Sequence, residues 1–188
     1  VGIKIIISIP PNSCKIKAYE KGLLRNIRII NSKKKGQVHQ RQNAYKYCTT
    51  KLIMHMDDDV IMDLDSLTNL LKQLDKLPSK SCIAPRMNKN KNYFKPNNLE
   101  KIKNYILFLN TDPEPGSIAK TSLPVPHLFK GNDCCEVNEV EWLPGGLIIL
   151  RKSDIINKDY FKFKGKAYCE DLIHSEILRQ KGVRLFLS

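Results

Sequence analysis

Three consecutive carboxylates, Asp57, Asp58 and Asp59, follow the apolar run KLIMHM. In an extended chain successive side chains alternate faces, so Asp57 and Asp59 share one face and Asp58 takes the other. Two carboxylates about 4 Å apart repel by roughly 4 kcal/mol near a protein surface. A divalent cation relieves that repulsion, and hard cations take oxygen ligands of this kind. The same triplet also suits an acidic turn that caps a following helix. Its position at the end of an apolar strand favours the metal reading, because open α/β sheets gather ligands at the carboxyl ends of their strands.

The elements that must hold this triplet are legible in the hydrophobic pattern. Ile3 to Ile9 is an Ile-rich run that suits a strand buried on both faces, and Pro10-Pro11 stops it. A helix is expected over Cys14 to Leu24, a strand over Asn26 to Ile30, a helix over Gln37 to Cys48 and a strand over Lys51 to Met56. Leu64, Leu67, Leu70, Leu71, Leu74 and Leu77 recur at helical spacing. Asp63 or Asp65 can cap that helix, and Pro78 ends it. Ser81 to Pro85 is expected as a strand. Residues 86–140, rich in Asn, Lys and Pro, break the rhythm and predict loops with one or two short elements. Leu147 to Leu150 restores a strand. Glu170 to Lys181 predicts a helix closed by Gly182, and Arg184 to Leu187 begins a last strand. The alternation of strand and helix predicts a single α/β domain with a mostly parallel sheet.

Composition sets the outer bounds. The chain has 188 residues, with 41% hydrophobic and 27% charged, ordinary for a globular domain and far from disorder. Lys and Arg number 32 against 19 Asp and Glu, a net charge of +13. Of the 32 cations 25 are Lys and seven are Arg, a weak nucleic-acid signal because Arg is the better fork for phosphate and base edges. No nucleic-acid partner is expected; the charge fits work beside anionic partners. The six Cys show no CxxC or zinc-ligand spacing and are expected as reduced thiols in a cytoplasmic protein. No apolar run reaches 18 residues. The absence of an initiating Met suggests an excised piece of something longer.

Four segments in order then carry a resemblance: GQVHQR at Gly36 to Arg41, LIMHMDDDV ending at Val60, WLPGG at Trp142 to Gly146, and Glu170-Asp171 opening the late helix. The set resembles the family-2 glycosyltransferases of the GT-A fold. The fold implied is a Rossmann-like three-layer α/β/α domain spanning 1–188, lacking one strand-helix unit at the front, with 86–140 as an irregular acceptor-side region. The function implied is transfer of a sugar from a nucleoside-diphosphate sugar to a glycan or lipid-linked acceptor, with a divalent metal, Mn2+ or Mg2+. Under that resemblance Asp59 and Asp57 hold the metal, and Asp57 and Asp58 meet the nucleotide-sugar. Gln37 and Arg41, one helical turn apart on a helix that starts after Gly36, join them. Asp171 is the catalytic base, with Glu170 as a neighbour that exchanges roles with it. Trp142, Gly145, Gly146 and His174 lie on the acceptor side. The precedent is single displacement with inversion. A location in the cytoplasm, peripheral to the inner face of an anionic membrane, fits the charge.

Two departures stand against the resemblance. The first strand of the family's pattern has no counterpart here. Many members carry an Arg seven residues after the Glu of the late helix, where this chain has Ile177, with Arg179 two positions on. The rival readings are a nucleotidyltransferase on a similar fold and a non-catalytic basic module that binds anionic partners.

Overall fold

The computed structural model describes residues 2–12, 26–86, 98–106, 114–119, 121–127, 136–158, 160–163 and 167–188. The helix expected over Cys14 to Leu24 lies outside them, as do Cys14, Cys134 and Cys135. The described thiols, Cys48, Cys82 and Cys169, are free. In chain order the elements are β1 (Ile5–Ile9), β2 (Ile27–Asn31), α1 (Gln37–Tyr45), β3 (Leu52–Met56), α2 (Leu64–Lys76) and β4 (Ser81–Ala84). They continue as α3 (Asn98–Ile106), β5 (Asn138–Val140), β6 (Leu147–Arg151), α4 (Glu170–Gln180) and β7 (Arg184–Leu187).

The apolar runs alternate between two cores. In β6, Ile148 and Leu150 enter one core while Leu147 and Ile149 enter the other. Cys82 and Ala84 of β4 oppose Ile83 in the same way, and Leu185 and Leu187 of β7 oppose Phe186. A strand covered on both faces needs no polar alternation, which is why these runs are continuously hydrophobic. Leu70 and Leu74 of α2 fill one core; Leu178 of α4 and Tyr45 of α1 fill the other. The result is the three-layer α/β/α arrangement.

The sheet is mixed, where the alternation of elements predicted mostly parallel pairing. Its order is β3-β6-β4-β7-β5. Only β4 and β7 pair in parallel; β6 runs antiparallel to both β3 and β4, and β5 antiparallel to β7. The physical reason lies in the connection. A parallel neighbour needs a crossover, usually a helix. The chain instead enters β6 through the turn at Gly145-Gly146, beside the end of β3, and can only run back. β1 and β2 form a separate parallel pair. Among the described residues β1 has no second neighbour, so Ile5 is 45% exposed rather than buried on both faces as its composition suggested.

The helices end as their residues dictate. Asp63 accepts from the backbone N–H of Ser66 at 2.7 Å and caps α2. Those bonds hold its carboxyl below the usual range. Gly182, at φ 76°, takes the left-handed position after α4. The N–H of Val183 reaches the Leu178 carbonyl and that of Gly182 the Arg179 carbonyl, a Schellman closure with Leu178 and Val183 buried together.

The Leu stripe on α2 is narrower than its spacing suggested: Leu74 is fully buried but Leu64 is 72% exposed. Leu74→Ala is therefore expected to lose about 2–5 kcal/mol in denaturant unfolding. Leu64→Ala should stay within about 0.5 kcal/mol of the parent. Equal losses at the two positions would contradict this packing.

Candidate active site

β3 delivers Asp57 to the carboxyl end of the sheet, and the antiparallel β6 delivers its entry turn to the same place. The Asp57 N–H donates to the Gly146 carbonyl at 2.8 Å, extending the Met56–Leu147 pairing by one bond. The strand geometry stops there. Asp58 and Asp59 form a turn and are exposed, so the face alternation expected of the triplet does not apply to them. Among the described residues neither has a hydrogen-bond or ion-pair partner.

α1 supplies the cation. Val38, Gln42 and Tyr45 form its buried edge, and Gln37 and Arg41 lie together on the adjoining face. The helix has little apolar surface, and polar bonds seat it: Gln40 Nε2 donates to the Ser8 carbonyl at 3.0 Å, and Gln42 to that of Lys158. Gln37 Nε2 reaches both oxygens of Asp57, at 3.2 and 3.3 Å. Arg41 Nη2 donates to Asp57 Oδ1 at 2.8 Å and to the Gly145 carbonyl at 2.9 Å. Its Nη1 donates to Glu170 Oε2 at 2.9 Å.

α4 contributes the second acid pair. Cys169 precedes it at φ 60°, a left-handed conformation uncommon for a residue with a side chain. The first turn then points Glu170 inward, with 4% of its surface exposed, while Asp171 is half-buried. Both acids sit where the helix dipole favours negative charge. Asp171 Oδ1 accepts from the Leu172 N–H at 3.0 Å. Burial pushes the Asp171 carboxyl above its usual range, and Glu170 adds to the effect. Burial alone would lower Arg41; the charges of Glu170 and Asp57 outweigh it and hold the guanidinium above its usual value.

Gly145 faces both acids. A Cβ there would lie 3.4 Å from Glu170 Oε2 and from Asp171 Cβ, so any longer side chain would push into the pair. Trp142 is placed differently. Its Nε1 donates to the Val125 carbonyl at 3.1 Å and its ring stacks on His127 at 4.0 Å. His174 lies in the interior behind Glu170 rather than on an open acceptor side, with ring contacts to Tyr160 and His55. Arg179 pairs with Glu176 and Glu141 on the exposed side of α4, and Ile177 packs against the core. The guanidinium of the site thus comes from α1, not from α4.

Sequence reasoning missed Tyr160, Tyr45 and His55. The Tyr160 hydroxyl donates to Glu170 Oε1, and Tyr45 Oη pairs with His55 Nδ1 at 2.9 Å. Tyr160 stands in an irregular segment, where no periodicity marks it. His55 reads as one more position of an apolar strand.

Among the described residues no three His, Cys, Asp or Glu side chains converge on one point. A magnesium-type ion asks less of the protein: one or two carboxylates, with substrate phosphates completing the shell. Asp59, unpartnered in its turn, fits that requirement; Asp57 beside it would join with oxygens that Gln37 and Arg41 already contact. Two carboxylates, Asp57 and Glu170, bind the one guanidinium, and Asp58, Asp59 and Asp171 stand next to them in the chain, so acids outnumber cations at this site in a chain of charge +13.

The fold agrees with the comparison to known families. The family model described as glycosyl transferase family 2 matches residues 15–129, more than half of the chain. The chain belongs to that family and is a glycosyltransferase. The match contains Gln37, Arg41 and the Asp triplet; Trp142, Gly145 and the Glu170-Asp171 pair lie beyond it. No curated protein matches the chain. Among the described residues no helix is long and apolar enough to cross a membrane.

Burial lowers the His174 pKa to about 4, below the 6.5 of the unfolded chain. Between those values the unfolded state binds more protons, so stability falls as pH drops from 6.5 towards 4. Asp171, shifted upward, acts in the opposite sense. His174→Gln is expected to flatten the acid side of a curve of unfolding free energy against pH by up to about 3 kcal/mol. A variant curve parallel to the parent's would show that His174 is not buried in neutral form.

Proposed function

We propose that the chain transfers a glycosyl group from a nucleoside-diphosphate sugar to an acceptor hydroxyl, with its donor site at Asp57–Asp59 and its base at Asp171. The observation that carries the reading is the convergence on Arg41. That side chain joins the acid that follows β3 to the acid opening α4, which lies 129 residues beyond Arg41 itself. Seating Glu170 there also brings its neighbour Asp171 beside Gly145, so the groups for the two tasks of the reaction, holding the donor at Asp57 and taking a proton at Asp171, share one site.

The anionic donor enters a cleft whose own carboxylates outnumber its cations. Asp59 and Asp57 would hold a divalent cation there, which when bound neutralises the diphosphate and acts as a Lewis acid on the departing charge. Gln37 and Arg41 fix the Asp57 carboxylate and present the remaining N–H donors of the α1 face. Asp58, exposed on the turn, is free to meet the ribose.

Asp171 takes the proton of the attacking hydroxyl. One of its oxygens is held by the Leu172 N–H, and the other is left for the acceptor. A carboxyl raised by burial is a stronger base than an exposed one and works closer to neutral pH. Attack on the anomeric carbon forms the new C–O bond as the bond to the diphosphate breaks, and the hydroxyl proton goes to Asp171. A single displacement of this kind inverts the anomeric centre. Gly145 keeps the approach to Asp171 open because it has no side chain.

Thermal unfolding with UDP, GDP, dTDP and CDP, each with and without Mn2+, tests the donor half. One nucleotide at a hundredfold excess over its dissociation constant should stabilise the fold by about 2.7 kcal/mol. That gain should need both the metal and Asp59, and vanish in Asp59→Asn. Stabilisation by none of the four, or equally without metal, would sink the donor assignment. Asp171→Asn should keep the nucleotide-dependent stabilisation and lose about 100- to 10,000-fold in turnover. Retained turnover would remove Asp171 as the base.

A further inference from the structure

Glu170 was read from sequence as able to exchange roles with Asp171. Its surroundings argue for a different task. The side chain is buried, and both oxygens are engaged: Oε1 by the Tyr160 hydroxyl and Oε2 by Arg41 Nη1. A carboxylate held from two sides in the interior has no free oxygen for an acceptor. Asp171, one residue on, has one.

Tyr160 is built to hold that position. Its ring packs against the core, 6.1 Å from the His174 ring, so the hydroxyl has little freedom to leave Glu170. Burial and the neighbouring Glu170 raise its pKa, so the hydroxyl stays protonated and remains a donor. Arg41, held at the other oxygen, is only 13% exposed and spends its second Nη on Asp57 and the Gly145 carbonyl. Tyr160, Glu170, Arg41 and Asp57 therefore form one continuous chain of hydrogen bonds. It runs from the interior to the donor end of the cleft and passes beside Asp171. The cavity bordered by Tyr160, Glu170, Arg41, Tyr45 and His174 measures only about 10 Å³. That is room for one water at most, so Glu170 has nowhere else to turn.

We propose that Tyr160 is a positioning residue: through Glu170 it fixes the Arg41 guanidinium, and so sets Asp57 and Asp171 in register for transfer. Tyr160 touches neither donor nor acceptor, and Glu170 is a buttress, not a second base. The part that concerns transfer rests on the glycosyltransferase reading above; the buttress itself does not.

Tyr160→Phe keeps the ring and removes only the hydroxyl, with Tyr168→Phe at an exposed position as the control. Two measurements decide. The first is the 1H–15N spectrum of the Arg41 guanidinium in the substrate-free protein. The parent should show restrained, exchange-protected Nη signals, and Tyr160→Phe should show averaged ones. The second is hydrolysis of the nucleotide-sugar whose base stabilises the fold. In Tyr160→Phe kcat should fall about 10- to 100-fold, as a small misplacement of reacting groups requires, with donor KM within about twofold. Unchanged Arg41 signals with unchanged kcat overturn the proposal. So does a raised KM at constant kcat, which would make Tyr160 part of donor binding. Arg41 signals restrained in the parent and released in Tyr160→Phe, with a parent that neither binds nor turns over any nucleotide-sugar, would leave the buttress standing and remove the transferase reading instead.

Discussion

A guanidinium withdrawn from water and shared between two acids organises this cleft. Arg41 is bound to Asp57 and Glu170 and to the Gly145 carbonyl, and nearly all its surface is covered. Charges placed so are costly to desolvate, and the cost is offset only where geometry is good and the remaining donors find partners. Here they do. The consequence is mutual dependence: with Arg41 absent, Glu170 becomes an uncompensated charge in the interior. Losses of about 3–5 kcal/mol are usual when one partner of a buried pair is removed. Such an arrangement is weak as a source of net stability and strong as a constraint on relative position. α1, the end of β3, the turn before β6 and the start of α4 can meet in only one way that satisfies it.

The sheet direction follows the same logic. Because β6 runs against β3, its first residues lie beside the last residues of β3, and Gly145-Gly146 reaches the Asp57 end of the sheet. A parallel β6 would begin at the far end and leave the acids without the Gly145 carbonyl. The two cores on either face then fix the strands, since a shift of one residue in β6 would exchange Ile148 and Leu150 with Leu147 and Ile149. The position of the cleft is set by packing across the whole domain, not by the cleft residues alone.

The field of the site runs against that of the molecule. A chain of charge +13 concentrates carboxylates where an anionic donor is proposed to bind. The divalent cation proposed there would reconcile the two, and the Lys-rich remainder would steer anions towards it.

Much of this was legible in the residues. The continuous apolar runs, the Leu spacing of α2, the cap at Asp63 and the Gly182 closure are local matters of period and propensity, and the described elements lie where those signals put them. The Asp triplet, Gln37 with Arg41 and Glu170 with Asp171 stand out as an ordered set, since each alone also suits a cap or an exposed helix face. Tertiary structure alone decided three things. Strand direction is not written in an apolar run, because a strand buried on both faces looks the same in either sense; so the sheet came out mixed. Exposure within a stripe depends on what lies opposite, so Leu64 faces solvent while Leu74 does not. The partners of a buried acid come from distant segments, so Tyr160 and Arg41 meet at Glu170 with nothing in either local sequence to announce it. Local pattern determines which residues can bury or bond; only closure of the whole chain determines with whom.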